Sequence, residues 1–201
     1  MGHYSELYFS DSSAQPARGA IGESAHPYLV SKYHVPLLWL ALFATTDIVD
    51  GVPDDNEEAW PYLVKSKSAA LALLSSRGSV LAESFPALKP IWLQQFTSMV
   101  QRTGAEYIHL DTSDIGAMAD RADSWRLSLE AMLRIFSVPP FSPAKSLVGR
   151  LLGLKNRSRE WQVFNRLLGS AFSGADANEP WVYCGASGTD EEFEWETSPT
   201  V

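Results

Sequence analysis

Between Leu37 and Ala44 the chain carries eight consecutive apolar residues, Leu-Leu-Trp-Leu-Ala-Leu-Phe-Ala, with Val35-Pro36 before them and Thr45-Thr46-Asp47-Ile48 after. A helix built on this run is hydrophobic on every side, so its place is inside a core and not on a surface. Pro36 suits a first helical turn, where its missing N–H is not needed. The sequence therefore predicts a central buried helix over Val35–Ile48. Asp47, Asp50, Asp54, Asp55, Glu57 and Glu58 follow at once with no basic residue among them, so the buried element leads into an acidic rim.

Other segments arrange themselves around that run. His3–Ser10 is rich in aromatic β-formers and reads as a strand, and Asp11–His26, with Pro16, Gly19 and Gly22, as a loop. Tyr62–Lys65 reads as a second strand, followed by a helix from Ala69 through Gly78 to about Ser84. Leu88, Ile91, Trp92, Phe96, Met99 and Val100 share one helical face, and Gly104 closes that helix. Glu106–Leu110 alternates as a third strand. Trp125, Leu129, Met132, Leu133 and Phe136 mark a helix ended by Pro139-Pro140. Leu147–Leu152 marks a short helix, Trp161–Phe172 another, and Trp181–Cys184 a last short strand. The order predicts an α+β fold, helix-rich, with a small mixed sheet covered by several helices. One folded unit spans 1–185, with an acidic, mobile tail over 186–201.

Charge is zoned along this frame. Met1–Trp60 holds nine acids and two bases, Pro61–Asp120 five of each, Arg121–Arg166 three acids and nine bases, and Leu167–Val201 seven acids and no base, for a net charge of −8. Zoning of this kind argues against nucleic acid as the general partner and points to pairing between zones, to solvated faces, or to a basic protein partner. The apolar runs are too short to span a bilayer and the N-terminus does not resemble a signal peptide, so a cytoplasmic protein is expected. A single cysteine, Cys184, leaves no intrachain disulfide and no cysteine-based zinc site.

Chemistry-bearing residues are few. The histidines His3, His26, His34 and His109 lack the spacing that sets two imidazoles on one metal, so no metal and no cofactor is expected. His109 precedes Asp111 and Asp114, where a carboxylate could orient its ring, and this is the place for a small enzyme's cleft. A hydrogen-bonded structural histidine, and carboxylates that cap turns, explain the same residues; Asp120 and Asp123 are read as caps too. Cys184 before Gly185 is read as a small buried hydrophobe. Asp190, Glu191, Glu192 and Glu194 surround Phe193 and Trp195, an acidic segment with two aromatics that suggests docking: charge steers a basic partner and the aromatics anchor it.

The aromatic strand Tyr4–Phe9, the Val-Pro-Leu-Leu helix, the strand entering Lys65-Ser66-Lys67-Ser68 and the segment Tyr107–Asp111 together resemble a loose group of bacterial proteins, some of them immunity proteins encoded beside secreted antibacterial toxins. The resemblance covers the stretch to Ala131 and leaves out the basic helices and the acidic tail. It implies a non-enzymatic protein that binds and neutralises a cognate toxin by occlusion. The surfaces expected to make that contact are Asp47, Asp50, Asp54, Asp55, Glu57 and Glu58 on one side and Asp190–Trp195 on the other. A regulatory adaptor using the same acidic surfaces is the remaining class.

Overall fold

A computed structural model describes residues 3–16, 26–51, 59–119, 121–137 and 178–197. Its centre is a six-stranded sheet in the order β3-β4-β5-β1-β2-β6, built from β1 (Tyr4–Ser10), β2 (Tyr28–Lys32), β3 (Ile48–Asp50), β4 (Pro61–Ser66), β5 (Tyr107–Asp111) and β6 (Ala186–Ser187). Every neighbouring pair runs antiparallel. The helices are α1 (Leu37–Leu40), α2 (Lys67–Ser76), α3 (Gly78–Ser84), α4 (Pro90–Arg102), α5 (Ser113–Gly116), α6 (Ala122–Arg134), α7 (Pro180–Cys184) and α8 (Glu194–Thr197). The fold is a helix-rich α+β one, as the alternation of segments predicts, but the sheet is antiparallel throughout and not the mixed one expected.

Register sorts the side chains into two faces. Leu7 pairs with Leu110 and Leu29, Phe9 with Ile108, and Leu63 with Leu110; all six belong to the core. Because side chains alternate along a strand, the intervening positions Tyr8, Tyr62 and His109 lie on the opposite face. On the core side, α4 contributes Trp92, Phe96, Met99 and Val100, and α6 contributes Trp125, Leu129, Met132 and Leu133. The α6 stripe is the one expected from helical spacing; in α4 the expected Ile91 is instead exposed and Leu88 is buried just ahead of the helix, while Pro90 starts α4 at the turn where a proline N–H is dispensable.

The apolar run is as buried as its composition requires, with Leu37 through Phe43 fully enclosed, but it is not one long helix. Only Leu37–Leu40 is α-helical; Ala44 is extended, Thr45–Asp47 forms a 3₁₀ turn and Ile48 enters β3. Arg77 explains the early stop. Its guanidinium Nη1 donates to the carbonyls of Ala41 at 2.9 Å and Phe43 at 2.6 Å and lies on the Phe136 ring, 4.5 Å from its centre. Carbonyls that a longer helix would have satisfied are taken by a buried cation instead. Asp47 completes the exit, its Oδ2 accepting from the Ala44 N–H at 2.6 Å. Arg77 also divides the expected 69–84 helix into α2 and α3.

Three further differences come from short segments. Tyr28–Lys32 and Ile48–Asp50, neither of them expected as strands, form β2 and the edge strand β3. Trp181–Cys184 is helical despite its β-forming composition, because Pro180 presets the first helical position and Gly185, at φ 77°, ends the turn. The stretch after Gly185 is not loose: Ala186 and Ser187 pair with Val30 and Leu29, and Trp195 is buried. Residues 186–197 thus belong to the folded unit. The expected helices at 147–152 and 161–172 lie outside the described residues.

Candidate functional site

Among the described residues, polar groups gather in a buried chain on the second face of the sheet and in an exposed groove where α4 meets the C-terminal segment. In the first, Tyr8 of β1 and His109 of β5 are register partners, and their rings stack at 4.9 Å and 2°. Tyr62 of β4 brings its hydroxyl to 2.8 Å from His109 Nδ1 and hydrogen-bonds the Tyr8 hydroxyl. His109 Nε2 stands 2.9 Å from both the Ser12 carbonyl and the Ser10 hydroxyl. A carbonyl only accepts, so Nε2 carries the proton, Nδ1 accepts from Tyr62, and Tyr62 accepts from Tyr8.

The chain has one direction, Tyr8 to Tyr62 to His109 to Ser12. Burial pushes both phenols well above the usual tyrosine range, against the Tyr62 hydrogen bond in the case of Tyr8. It pulls the imidazole below the usual histidine range, against the Ser12 carbonyl. All three groups are therefore held neutral near pH 7, in a closed run of hydrogen bonds that satisfies each of them.

The carboxylates expected beside His109 serve the backbone. Asp111 Oδ1 accepts from the Ser113 N–H at 2.8 Å, and Asp114 Oδ2 from the Tyr4 N–H at 2.8 Å. Among the described hydrogen bonds, none joins either acid to His109. Asp123 heads α6 next to Arg121 at 3.6 Å, and Asp120 lies outside the described residues. His34 is a core histidine, within 3.1 Å of both Ser31 Oγ and the Lys32 carbonyl. Cys184 is buried, its thiol pushed well up by burial and directed at the Trp92 carbonyl. Among the described residues no three metal-ligating side chains cluster, and no helix is long and apolar enough to cross a membrane.

The acidic residues separate into three kinds. Asp47 is spent inside the fold: its carboxylate grips Lys65 Nζ at 2.7 Å and both side chains are largely covered. Asp50 pairs with Arg126 of α6, which joins an acidic position to the basic zone. Asp54, Asp55, Glu57 and Glu58 lie outside the described residues. At the other end Glu194 pairs with Arg102 of α4 at 3.1 Å, while Asp190, Glu191 and Glu192 are exposed.

The two aromatics of that segment are not the free anchors their composition suggests. Trp195 is 1% exposed, near Phe96 with ring centres 6.1 Å apart, and Phe193 is half-buried and stacked on Trp195 at 4.7 Å and 18°. Glu196 ties the segment together, its Oε2 accepting from the Phe193 N–H at 2.7 Å and its Oε1 from the Ser187 N–H at 3.1 Å. Gly188 N–H donates to the Tyr28 carbonyl at 3.0 Å. An acidic strap is thus nailed to the sheet edge by its own hydrophobes, with three carboxylates left outward.

Between the strap and the C-terminal end of α4 lies a groove of about 780 Å³, with Met99, Arg102, Thr103, Gly104, Asp190, Glu191 and Phe193 in its walls. Comparison of the chain with protein-family models, with curated proteins and with solved structures finds no match.

Sequence reasoning singled out His109 but missed Tyr8, Tyr62 and Ser10, its actual partners. The available signal was parity: once β1, β4 and β5 are aligned, every second residue shares a face, and aromatic hydroxyls at those positions converge on the histidine.

Proposed function

We propose that this protein acts by binding and occluding a basic protein partner, namely a cytoplasm-acting antibacterial toxin, as an immunity-type protein working in the same compartment. The observation that carries this reading is the pinned strap. Asp190, Glu191 and Glu192 are exposed on a segment whose backbone is fixed by Trp195, Phe193 and Glu196. Charges presented on a fixed frame steer a basic partner toward one orientation, and little ordering entropy is lost on contact. The resemblance of the stretch to Ala131 to immunity proteins points the same way.

The experiment is a growth assay in which the protein encoded beside this gene is expressed alone and together with this chain. Rescue of growth, with a stoichiometric complex recovered from the rescued cells, supports the reading. A neighbour that is not toxic, or a toxic one that grows no better with this chain present, defeats it.

A further inference from the structure

We infer that the groove beside the strap takes one long basic side chain of the partner, a lysine or arginine, as the central anchor of the contact; this rests on the partner-binding reading and makes it specific. Shape and charge select the same side chain. Met99 and Phe193 give the groove an apolar wall, and Asp190 and Glu191 stand at its edge. Of the basic groups in the lining, Arg102 is paired with Glu194 and His26 stands 3.6 Å from Asp11, so the two outer carboxylates set the sign of the local field. Lysine and arginine have the matching anatomy, an aliphatic stem that covers apolar surface and a charged head that stays at the rim. A glutamate or aspartate of a partner meets two like charges there, and an aliphatic residue leaves the carboxylates without a counter-charge.

The groove is also preformed. Thr189 and Glu191 hold the turn at its rim, the Thr189 N–H donating to Ser187 Oγ at 3.1 Å and the Glu191 N–H to Thr189 Oγ1 at 3.3 Å. The opposite wall is the end of α4, where the Thr103 N–H bonds the Met99 carbonyl at 3.3 Å. A pocket with both walls fixed before binding is the setting in which a single buried side chain dominates an interface.

Gly104 supplies a clean test. A Cβ at Gly104 meets nothing nearer than the His26 ring at 3.8 Å, so Gly104→Phe can fill the groove without altering its charge. The probes are the capped peptides acetyl-Gly-Lys-Gly-amide and acetyl-Gly-Arg-Gly-amide, titrated into the ¹⁵N-labelled full chain, with a norleucine peptide as the uncharged control. The inference expects saturable amide shifts confined to Arg102–Gly104 and Thr189–Phe193 with the basic peptides and none with norleucine. Affinity should fall by about tenfold or more in Asp190→Asn/Glu191→Gln, the usual scale for losing a charge contact, and be lost in Gly104→Phe. Shifts scattered over all acidic positions, or an unchanged response in Gly104→Phe, overturn it. Should Gly104→Phe not fold, the exposed double amide variant decides alone. The neighbour-encoded protein separates the two claims: equal binding to wild type and Gly104→Phe leaves the partner reading intact and sinks the groove. A groove that takes the peptides while the neighbour does not bind sinks the partner reading and leaves the groove.

Discussion

The indole Nε1 of Trp195 donates to the carbonyl oxygen of Gly185 at 3.0 Å, closing the acidic segment 186–194 into a loop fixed at both ends. At the other end of this link the Gly185 backbone is held against Trp39, whose own Nε1 donates to the Cys184 carbonyl at 2.7 Å. The most buried run of the chain and its acidic C-terminal strap are therefore joined through two indoles and two adjacent carbonyls.

Trp195→Ala is expected to cost about 3–5 kcal/mol, the range for removing a large aromatic from a core. It should also release the strap, because Phe193 loses its stacking partner. Denaturant melts measure the first effect and amide exchange at Gly188–Phe193 the second. A loss below about 1 kcal/mol, the range of ordinary surface changes, would show that the indole is not a core residue.

Gly185→Ala tests the junction itself. At φ 77° a β-carbon is strained, and here it would sit 2.2 Å from Trp39 Cζ2. Positive-φ extended backbone, a region essentially reserved to glycine, costs about 1–3 kcal/mol for a residue with a side chain, and overpacking about 1–3 kcal/mol more. The expected outcome is a lowered Tm with Trp39 fluorescence shifted; an unchanged Tm would contradict the close approach.

How much of this was legible beforehand varies with the physical signal. Burial of Leu37–Phe43 follows from composition, and the α4 and α6 stripes from spacing, because both signals are local. The length of α1 was not legible, since it is set by Arg77, 34 residues beyond Phe43 in the chain. β2 is five residues long and β3 three, too short to stand out from loops, and the proline and glycine flanking Trp181–Cys184 outweighed its strand-like side chains. In the same way the charges of the strap could be read directly, whereas the burial of Trp195 could not, because it depends on Phe96 and Gly185 being brought together by the fold.

Arg77→Leu is expected to destabilise by about 1–3 kcal/mol or more, the penalty for leaving buried carbonyls without a donor. Burial lowers the guanidinium pKa to about 10, so Arg77 stays charged through the neutral range and the effect should not vary between pH 6 and 8. Equal stability of Arg77→Leu and wild type in urea would show that water or another donor reaches the Ala41 and Phe43 carbonyls.

Acid sensitivity follows from His109 and His34, whose folded pKa values both lie below the usual histidine value because of burial. Above about pH 6.5 the imidazoles are neutral folded and unfolded, and their contribution is complete. As pH falls below that point the unfolded chain takes up protons that the folded chain refuses, so stability declines until the folded pKa values are passed. His109→Gln should flatten part of that decline in pH-dependent melts, at the cost of lower stability at pH 7. An identical pH slope in wild type and variant would remove His109 from the account.

The central claim is that the strap's outward carboxylates guide a basic partner onto this molecule. Stopped-flow association of the neighbour-encoded protein with wild type and with Asp190→Asn/Glu191→Gln/Glu192→Gln, across a series of salt concentrations, tests it most directly. The account predicts slower association for the variant and a weaker dependence of its rate on salt, with a folded structure unchanged by circular dichroism. Association rates and salt slopes that coincide for the two proteins would contradict it.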